Sequence, residues 1–481
     1  MPFIDQLQQW AAARGKHPAV IIGAQRIDFA GLLAAASAQR NTATSRVAII
    51  DVPTSTQLAT QFCAALHQHK TAMVLDAGWP AELRSALARA AQEWDGGAAQ
   101  VWDGDAADRP FLLGLSSGTS GIPKAFTRST ASWRESFIRS SEYFRLTPNT
   151  VTLAPGPLAA SMNLYALGES IHAGGTFVAL PHFSPDAALT AMTQRHVNRL
   201  VLVPTVLELL ARRGMETGHT ATGLTHIVCA GSALGSSTVA LARQWAPHAT
   251  IQQYYGAAEL GFVAASTLEP ETTPAPASDS GPASNQGMSD GVGPAFPGVQ
   301  LSVRDVHGRE VPTGGLGSIC VKSPYLCSGY AWGDDGLAFS RLGSTGWHTV
   351  HDQGHIDAQG ILHVVGRASD MILCSGTNVY PHAVEQALRR GAPDEMNIIV
   401  TAIPDPVRGQ RVVAAFHSAG KGGSTTDADA FRNSAAALPA SHRPSHYYEL
   451  VVLPLTGSGK ISRALLSHWI TEGDPRVQRR R

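Results

Sequence analysis

The sequence predicts an α/β protein: a large N-terminal domain of parallel-rich sheets with helices plus a β-rich subdomain, and a small, mobile α+β C-terminal domain. Three observations carry this. At 481 residues the chain exceeds one ordinary hydrophobic core, so at least two domains are expected. Strand-like and helix-like stretches alternate through its first half, the pattern of parallel sheets covered by helices. The last stretch, from about Ala368, has its own short set of helices and strands.

The elements follow in order. Arg46–Asp51 reads as a buried strand and is followed by a helix from about Ser55 to His69. Thr71–Asp76 is the next strand, with a helix near Ala81 to Gln92 behind it. The pattern recurs with Arg199–Val203 and a helix from Val206 to Arg213, then with His226–Cys229 and a helix from Ser237 to Trp245. In such sheets the sites lie at the carboxyl ends of the strands. Ser266 to Gly293 is rich in Pro, Ser, Thr and Gly and predicts a long mobile surface loop. Val299–Val306 and Gly317–Lys322 alternate as strands of the β-rich subdomain. Past Ala368 come a short helix, strands near Asn397 and Val412, and a helix beginning near Ser462. The expected division is therefore 1–367 and 368–481, with no internal repeat of fixed period.

Composition narrows the function classes. Apolar residues make up 44% and charged residues 15%, and 37 basic residues balance 37 acidic ones. With no broad electrostatic footprint, nucleic acid is not an expected partner. The basic run Arg479 to Arg481 reads as a solvated or disordered tail. Five scattered cysteines without CxxC spacing argue against a disulfide framework or structural zinc, and Cys229, in an apolar run, reads as a packed thiol. The N-terminus lacks a signal-peptide pattern and no eighteen apolar residues run together, so a cytoplasmic protein without integral membrane association is expected. No Gly-x-Ser-x-Gly elbow speaks for a serine hydrolase.

The most informative stretch is Leu115-Ser-Ser-Gly-Thr-Ser-Gly-Ile-Pro-Lys124, which follows an apolar run as a loop leaving a strand does. Glycines and small hydroxylated residues let backbone N–H groups approach phosphate oxygens, and Lys124 adds a point charge suited to a polyphosphate. The spacing is not that of a Walker loop. A plain Ser/Gly turn is the competing reading of these residues taken alone.

This loop resembles the signature loop of the adenylate-forming superfamily, which comprises acyl-CoA synthetases, peptide-synthetase adenylation domains and firefly luciferase. Three further segments, in the right order, resemble its other motifs. They are Tyr254-Tyr-Gly-Ala-Ala-Glu259, His351-Asp352 with Gly366-Arg367 and Asp370, and Leu453-Pro-Leu-Thr-Gly-Ser-Gly-Lys460. The resemblance implies that Ser117, Gly118, Thr119, Ser120, Gly121 and Lys124 hold the ATP phosphates. It implies that Tyr255 stacks on adenine with Gly256 beside it in the nucleotide site, and that Gly231, Ser232 and Ala233 flank adenine and the acyl group. Glu259 becomes the Mg²⁺ ligand, Asp352 the acceptor of both ribose hydroxyls, and Arg367 a ribose and phosphate contact. Lys460 becomes the catalytic cation at the α-phosphorus, with Thr119 and Glu259 beside it in catalysis. For Tyr255 a core tyrosine, and for Asp352 with Arg367 a surface salt bridge, are the plainer readings. His351 and His355 lack the further ligand a metal site needs.

The departures matter as much. Ala125 stands where the family has Gly, and Ser369 occupies the hinge position usually held by Asp or Lys. Ala258 replaces a Thr whose hydroxyl bonds the AMP phosphate. Ser375, in Cys374-Ser-Gly-Thr-Asn378, replaces one of two glycines in the loop that lines the family's pantetheine tunnel.

The resemblance implies ATP-dependent activation of a carboxylic acid to an acyl-adenylate, with Mg²⁺, and transfer to the thiol of coenzyme A. Leu158-Ala-Ala-Ser-Met-Asn-Leu-Tyr165 holds no acid to bind a substrate amine, which argues against amino acids. Met162, Leu164 and Tyr165 suit a fatty or aryl acid, or else are core residues. Two alternatives stay open. One is a freestanding enzyme that charges an acyl carrier protein; the other is a nucleotide-binding protein that has lost catalysis, for which Ala258 and Ser369 speak.

Overall fold

The computed structural model describes residues 1–39, 45–97, 107–116, 123–270, 291–334, 336, 338–367, 370–390, 392, 396–418, 431, 433–456 and 459–480. Within these the chain divides into two compact units. The first comprises Met1–Ser302, Cys320–Val350 and Gly360–Leu362; the second comprises Val303–Ile319, His351–Gln359 and His363–Arg481.

The first unit is built on two sheets. The larger has eight strands in the order Gly261–Leu268, Thr250–Ala257, His226–Ala230, Arg199–Leu202, Val151–Leu153, Thr176–Ala179, Pro18–Ile22, Gln25–Asp28. Its six inner strands run parallel, and each edge strand pairs antiparallel with its neighbour. Both faces are buried, which is why the central strands read as continuous apolar runs. Successive residues sort between two cores: Leu200, Leu202, Ile227 and Cys229 pack with Leu207, Leu210 and Trp245, whereas Val201 and Val228 join Phe3, Phe62, Phe137 and Phe177 on the opposite face. Each fully buried side chain of this size contributes about 1.5–3 kcal/mol. The second sheet runs Gly329–Trp332, Lys124–Ser129, Pro110–Ser116, Thr71–Val74, Val47–Ile50; its last three strands are parallel.

The helices begin where the sequence supplies caps. Ser55 accepts a hydrogen bond from the Leu58 amide and opens the helix Thr56–His67. The helix expected from Val206 starts two residues earlier, because Pro204 is suited to the first helical turn. The helix from Ala81 continues to Gly97. The strand Gly261–Leu268 carries regular pairing past Ser266, so the expected loop starts later, and its residues 271–290 lie outside the described ones.

The second unit is α+β, as expected. Its sheet orders Thr377–Val379, Ile372–Cys374, Gly409–Ser418, His446–Leu450 and Val477–Arg480, and Met396–Asp405 also pairs with Gly409–Ser418. Ile398 and Val400 face a core with Val384 and Leu388 of the helix Pro381–Arg389. Ile399 faces the other side with Leu466 of the helix Arg463–Glu472, which Ser462 caps through the Leu465 amide. One sequence reading is corrected here. Arg479 and Arg480 are exposed, as expected, but they belong to a paired edge strand and not to a disordered tail, with Tyr447 opposite Arg480 and an ion pair from Arg480 to Glu449. Its partner strand lies some thirty residues away in sequence, out of reach of local pattern, and Arg481 is outside the described residues.

All five cysteines are buried free thiols, and burial pushes Cys229 up to about 12, as a packing thiol requires. Among the described residues no helix is long and apolar enough to cross a membrane.

Candidate functional site

In the first unit the candidate residues gather at the carboxyl ends of the parallel strands. Ala230 pairs with Tyr254, so Gly231-Ser232-Ala233 leaves the sheet beside Tyr255, whose own strand continues to Ala257 with Tyr255 opposite Ala264. Gly231 has φ +89° and its loop is exposed, while Tyr255 is half-buried at the strand end. A bulge between Tyr255 and Gly256 turns the chain; a Cβ on Gly256 would meet the Gly261 carbonyl oxygen at 2.2 Å, so only glycine fits. Past the bulge Glu259 is 8% exposed.

The strands Pro110–Ser116 and Lys124–Ser129 form an antiparallel pair with Ser116 opposite Lys124. The residues that connect them, with Ser117, Gly118, Thr119, Ser120 and Gly121 among them, lie outside the described residues. The end of this hairpin is held by the strand Gly329–Trp332, paired antiparallel to it, and by the Trp332 indole N–H donating to the Pro123 carbonyl at 3.1 Å.

Two residues that the sequence reading missed complete this region. Arg128 is buried, and its guanidinium donates to the carbonyls of Tyr325 and Ala258, which pins the turn leading to Glu259. The Cys327 amide donates to the Glu259 carbonyl at 2.7 Å. Tyr330 donates its phenol to Glu259 Oε1 at 2.8 Å, and Lys124 Nζ stands 5.9 Å from the centre of its ring. Burial first, and then the Glu259 charge, push the Tyr330 phenol far above its usual range. An Arg near the end of a buried strand is the one signal legible in the sequence; nothing local marks Tyr330.

Of the stretch Leu158–Tyr165, Leu158 and Leu164 are buried and belong to one hydrophobic core. Met162 and Tyr165 are partly buried, and the Tyr165 hydroxyl bonds Ser136 and Ser140, each at 3.0 Å.

In the second unit Asp352 is 5% exposed and Arg367 Nε stands 3.6 Å from its Oδ1. His351 adopts a left-handed φ of +62°, whereas His355 stacks on His363 at 4.5 Å and His363 bonds Asp357 at 2.9 Å. Lys460 sits on a closed turn: Leu455 bridges Ile461, the Thr456 amide donates to the Lys460 carbonyl at 2.7 Å, and the Lys460 amide donates to Thr456 Oγ1 at 3.1 Å. Desolvation, then the positive charge of Arg367, lower the Lys460 ammonium from its ordinary range. Ser369 lies outside the described residues. The segment expected as the loop Cys374–Asn378 is instead a tight hairpin: Cys374 pairs with Thr377, with Ser375 at φ +51° and Gly376 at φ +78°. Two successive left-handed residues make a primed two-residue turn, which joins antiparallel strands without splaying them.

Comparison with known proteins accords with this arrangement. The family model for the AMP-binding enzyme matches residues 8–331. An uncharacterized acyl-CoA ligase of Bacillus subtilis, YhfT, is 31% identical over 366 residues, 76% of this chain and 70% of that protein. An indoleacetate–CoA ligase of Aromatoleum aromaticum is 28% identical over 74% of this chain and 66% of its own length. The crystal structure of ATP-bound MatB from Rhodopseudomonas palustris shares the fold at a TM-score of 0.75 and 21% identity, covering 97% of this chain and 99% of that one. The chain belongs to the AMP-binding enzyme family, as an acyl-CoA-ligase-type member of the adenylate-forming superfamily.

Proposed function

We propose that this enzyme uses ATP to activate a fatty or aryl carboxylic acid and passes the acyl group to the thiol of coenzyme A. The observation that carries the reading is the convergence of Lys124 and Glu259 on Tyr330 at 5.9 and 2.8 Å. A polyphosphate-suited cation and a hard-oxygen carboxylate so placed are what a nucleotide triphosphate with its metal requires. The donor set fits Mg²⁺, which commonly takes one or two protein carboxylates and completes its shell with phosphates and water. Glu259 would hold it, and when bound it neutralises charge on the phosphates.

In the proposed reaction a carboxylate oxygen of the substrate attacks the α-phosphorus of ATP, and the bond to the bridging oxygen breaks as pyrophosphate leaves. The acceptor's thiol sulfur then attacks the acyl carbon, loses its proton, and AMP departs. Lys460 offers positive charge to the α-phosphoryl oxygens, and Asp352 with Arg367 orients the ribose. Positioning and electrostatics supply most of the acceleration, since no covalent bond to the protein is needed.

An acid without an amine is favoured because the helix Ser161–Ala173 has one acidic residue, Glu169, and that carboxylate is taken by Arg199 in the core. Met162 and Tyr165 offer apolar surface, and the indoleacetate–CoA ligase relative speaks for aryl acids.

The test is carboxylate-dependent ATP–pyrophosphate exchange over fatty, aryl and amino acids, with Lys460→Ala alongside. Exchange with apolar acids that the variant loses supports the reading. Absence of exchange with every acid, in a folded protein that binds ATP, overturns it in favour of a scaffold without catalysis. Thioester formation with CoA set against a phosphopantetheinylated carrier protein then decides the acceptor.

A further inference from the structure

We infer that Tyr330 is a positioning residue of the nucleotide–magnesium site: its hydroxyl fixes the Glu259 carboxylate and meets Ser116 at one end of the phosphate-loop hairpin, and its ring faces Lys124 at the other. The inference rests on the function proposed above and concerns a residue to which the sequence motifs give no role.

The geometry separates Tyr330 from the packing around it. A register shift in the pairing of Gly329–Trp332 with Lys124–Ser129 lies between Tyr330 and Trp332. Ala331 and Trp332 pack on the core of Val47, Met73, Leu75, Leu87 and Leu113. Tyr330 belongs to none of the apolar cores of the described residues and spends its side chain on polar groups instead. Its hydroxyl donates to Glu259 Oε1 and also interacts with the Ser116 side chain, at the last described residue before the glycine-rich loop. Its ring faces Lys124, in the strand that follows that loop. One side chain thus meets Ser116, Lys124 and Glu259, which lie as far apart as 143 positions in sequence (259 minus 116). Such an arrangement holds one carboxylate oxygen in place, so that binding a cation does not first require the side chain to be ordered. A charge-assisted hydrogen bond of this kind is worth on the order of tenfold or more in an equilibrium constant.

The experiment measures ATP binding to the full chain with a fluorescent ATP analogue while Mg²⁺ is titrated, in wild type, Tyr330→Phe, Glu259→Gln and the double variant. Tyr330→Phe keeps the ring over Lys124 and removes only the hydroxyl. The expected result is a Mg²⁺ half-saturation raised about tenfold, with unchanged nucleotide affinity in EDTA and unchanged KM for the acid. In the Glu259→Gln background the same change should have no further effect. Tyr330→Leu, which also removes the ring from Lys124, should weaken ATP binding even without Mg²⁺. An unaltered Mg²⁺ requirement in Tyr330→Phe overturns the inference, as does a shift of equal size in the Glu259→Gln background. Pyrophosphate exchange by wild type is scored separately: its absence removes the adenylation reading, whereas the Mg²⁺ titration still decides the role of Tyr330.

Discussion

Arg199 and Glu169 meet in the interior of the first unit, Nη2 to Oε2 at 2.9 Å, with each side chain 2% exposed. Arg199 Nη1 also donates to Thr152 Oγ1 at 3.3 Å, and the guanidinium lies 5.7 Å from the centre of the Phe144 ring. The pair fastens a central strand of the eight-stranded sheet to the helix that continues from the stretch Leu158–Tyr165. Two charges so far from water cost several kcal/mol each to bury, and their mutual attraction offsets that only while both are present.

Glu169→Ala should therefore destabilise the protein by about 3–5 kcal/mol, because it strands a buried guanidinium. The paired change Glu169→Leu with Arg199→Met, which removes both charges, should recover most of the loss. Urea midpoints of the three proteins check this. Equal losses in the single and double variants would show that the contribution is packing and not charge pairing.

In the proposed reaction the lowered pKa of Lys460 should set the pH dependence of the first half-reaction. There the protonated ammonium is the form that offers positive charge to the α-phosphoryl oxygens, so activity should be lost as pH rises through the lysine's pKa. With that pKa depressed, the alkaline limb should fall below the ordinary lysine range of about 10.4. Arg367→Gln removes the positive neighbour and should move the limb to higher pH, whatever it does to the maximal rate. The profile of kcat/KM between neutral and strongly alkaline pH measures it. A limb that stays in place in Arg367→Gln would assign the depression to desolvation alone.

Much of this architecture could be read before the structure, and the reason is locality. The strands at Val47–Ile50, Thr71–Val74 and His226–Ala230 are apolar runs bounded by caps such as Ser55, so short windows reveal them. Glu259, Asp352, Arg367 and Lys460 stand within motifs a few residues long. Tyr330 and Arg128 act through partners at least 71 residues away in sequence, on contacts that only sheet order creates. The same holds for Arg479 and Arg480, whose basic run shows no strand until His446–Leu450 is placed beside it. Leu164 and Met162 are both apolar on one helix, and only the packing tells core from partly open surface.

Ala258 stands where a hydroxyl is expected, and its carbonyl is already engaged by Arg128. Because Arg128 grips the backbone and not the side chain, Ala258→Thr should leave the turn intact while restoring a donor to the α-phosphate. One hydrogen bond to a charged group is worth about 1.5–3 kcal/mol, so adenylation should quicken by roughly one to two orders of magnitude. Single-turnover adenylate formation is the measurement. An unchanged rate would indicate that another donor already fills the role.

The hairpin at Ser375-Gly376 carries strain at one of its two left-handed positions. Ser375 at φ +51° has a Cβ that the conformation disfavours by about 1–2 kcal/mol, whereas Gly376 at φ +78° has none. Ser375→Gly removes that strain but adds about 0.4–1 kcal/mol of unfolded-chain entropy, leaving a net gain of roughly 0.5–1 kcal/mol. Gly376→Ala meets no neighbour within 4 Å, so its cost is about 1–2 kcal/mol of backbone strain less about 0.4–1 kcal/mol of unfolded-chain entropy, a net loss of roughly 0.5–1 kcal/mol. Amide hydrogen exchange across Ile372–Val379 reads these directly. Protection should rise about two- to fivefold in Ser375→Gly and fall about two- to fivefold in Gly376→Ala. If both variants lose protection, Ser375 contributes through its hydroxyl, and the turn is held by the side chain and not by its backbone.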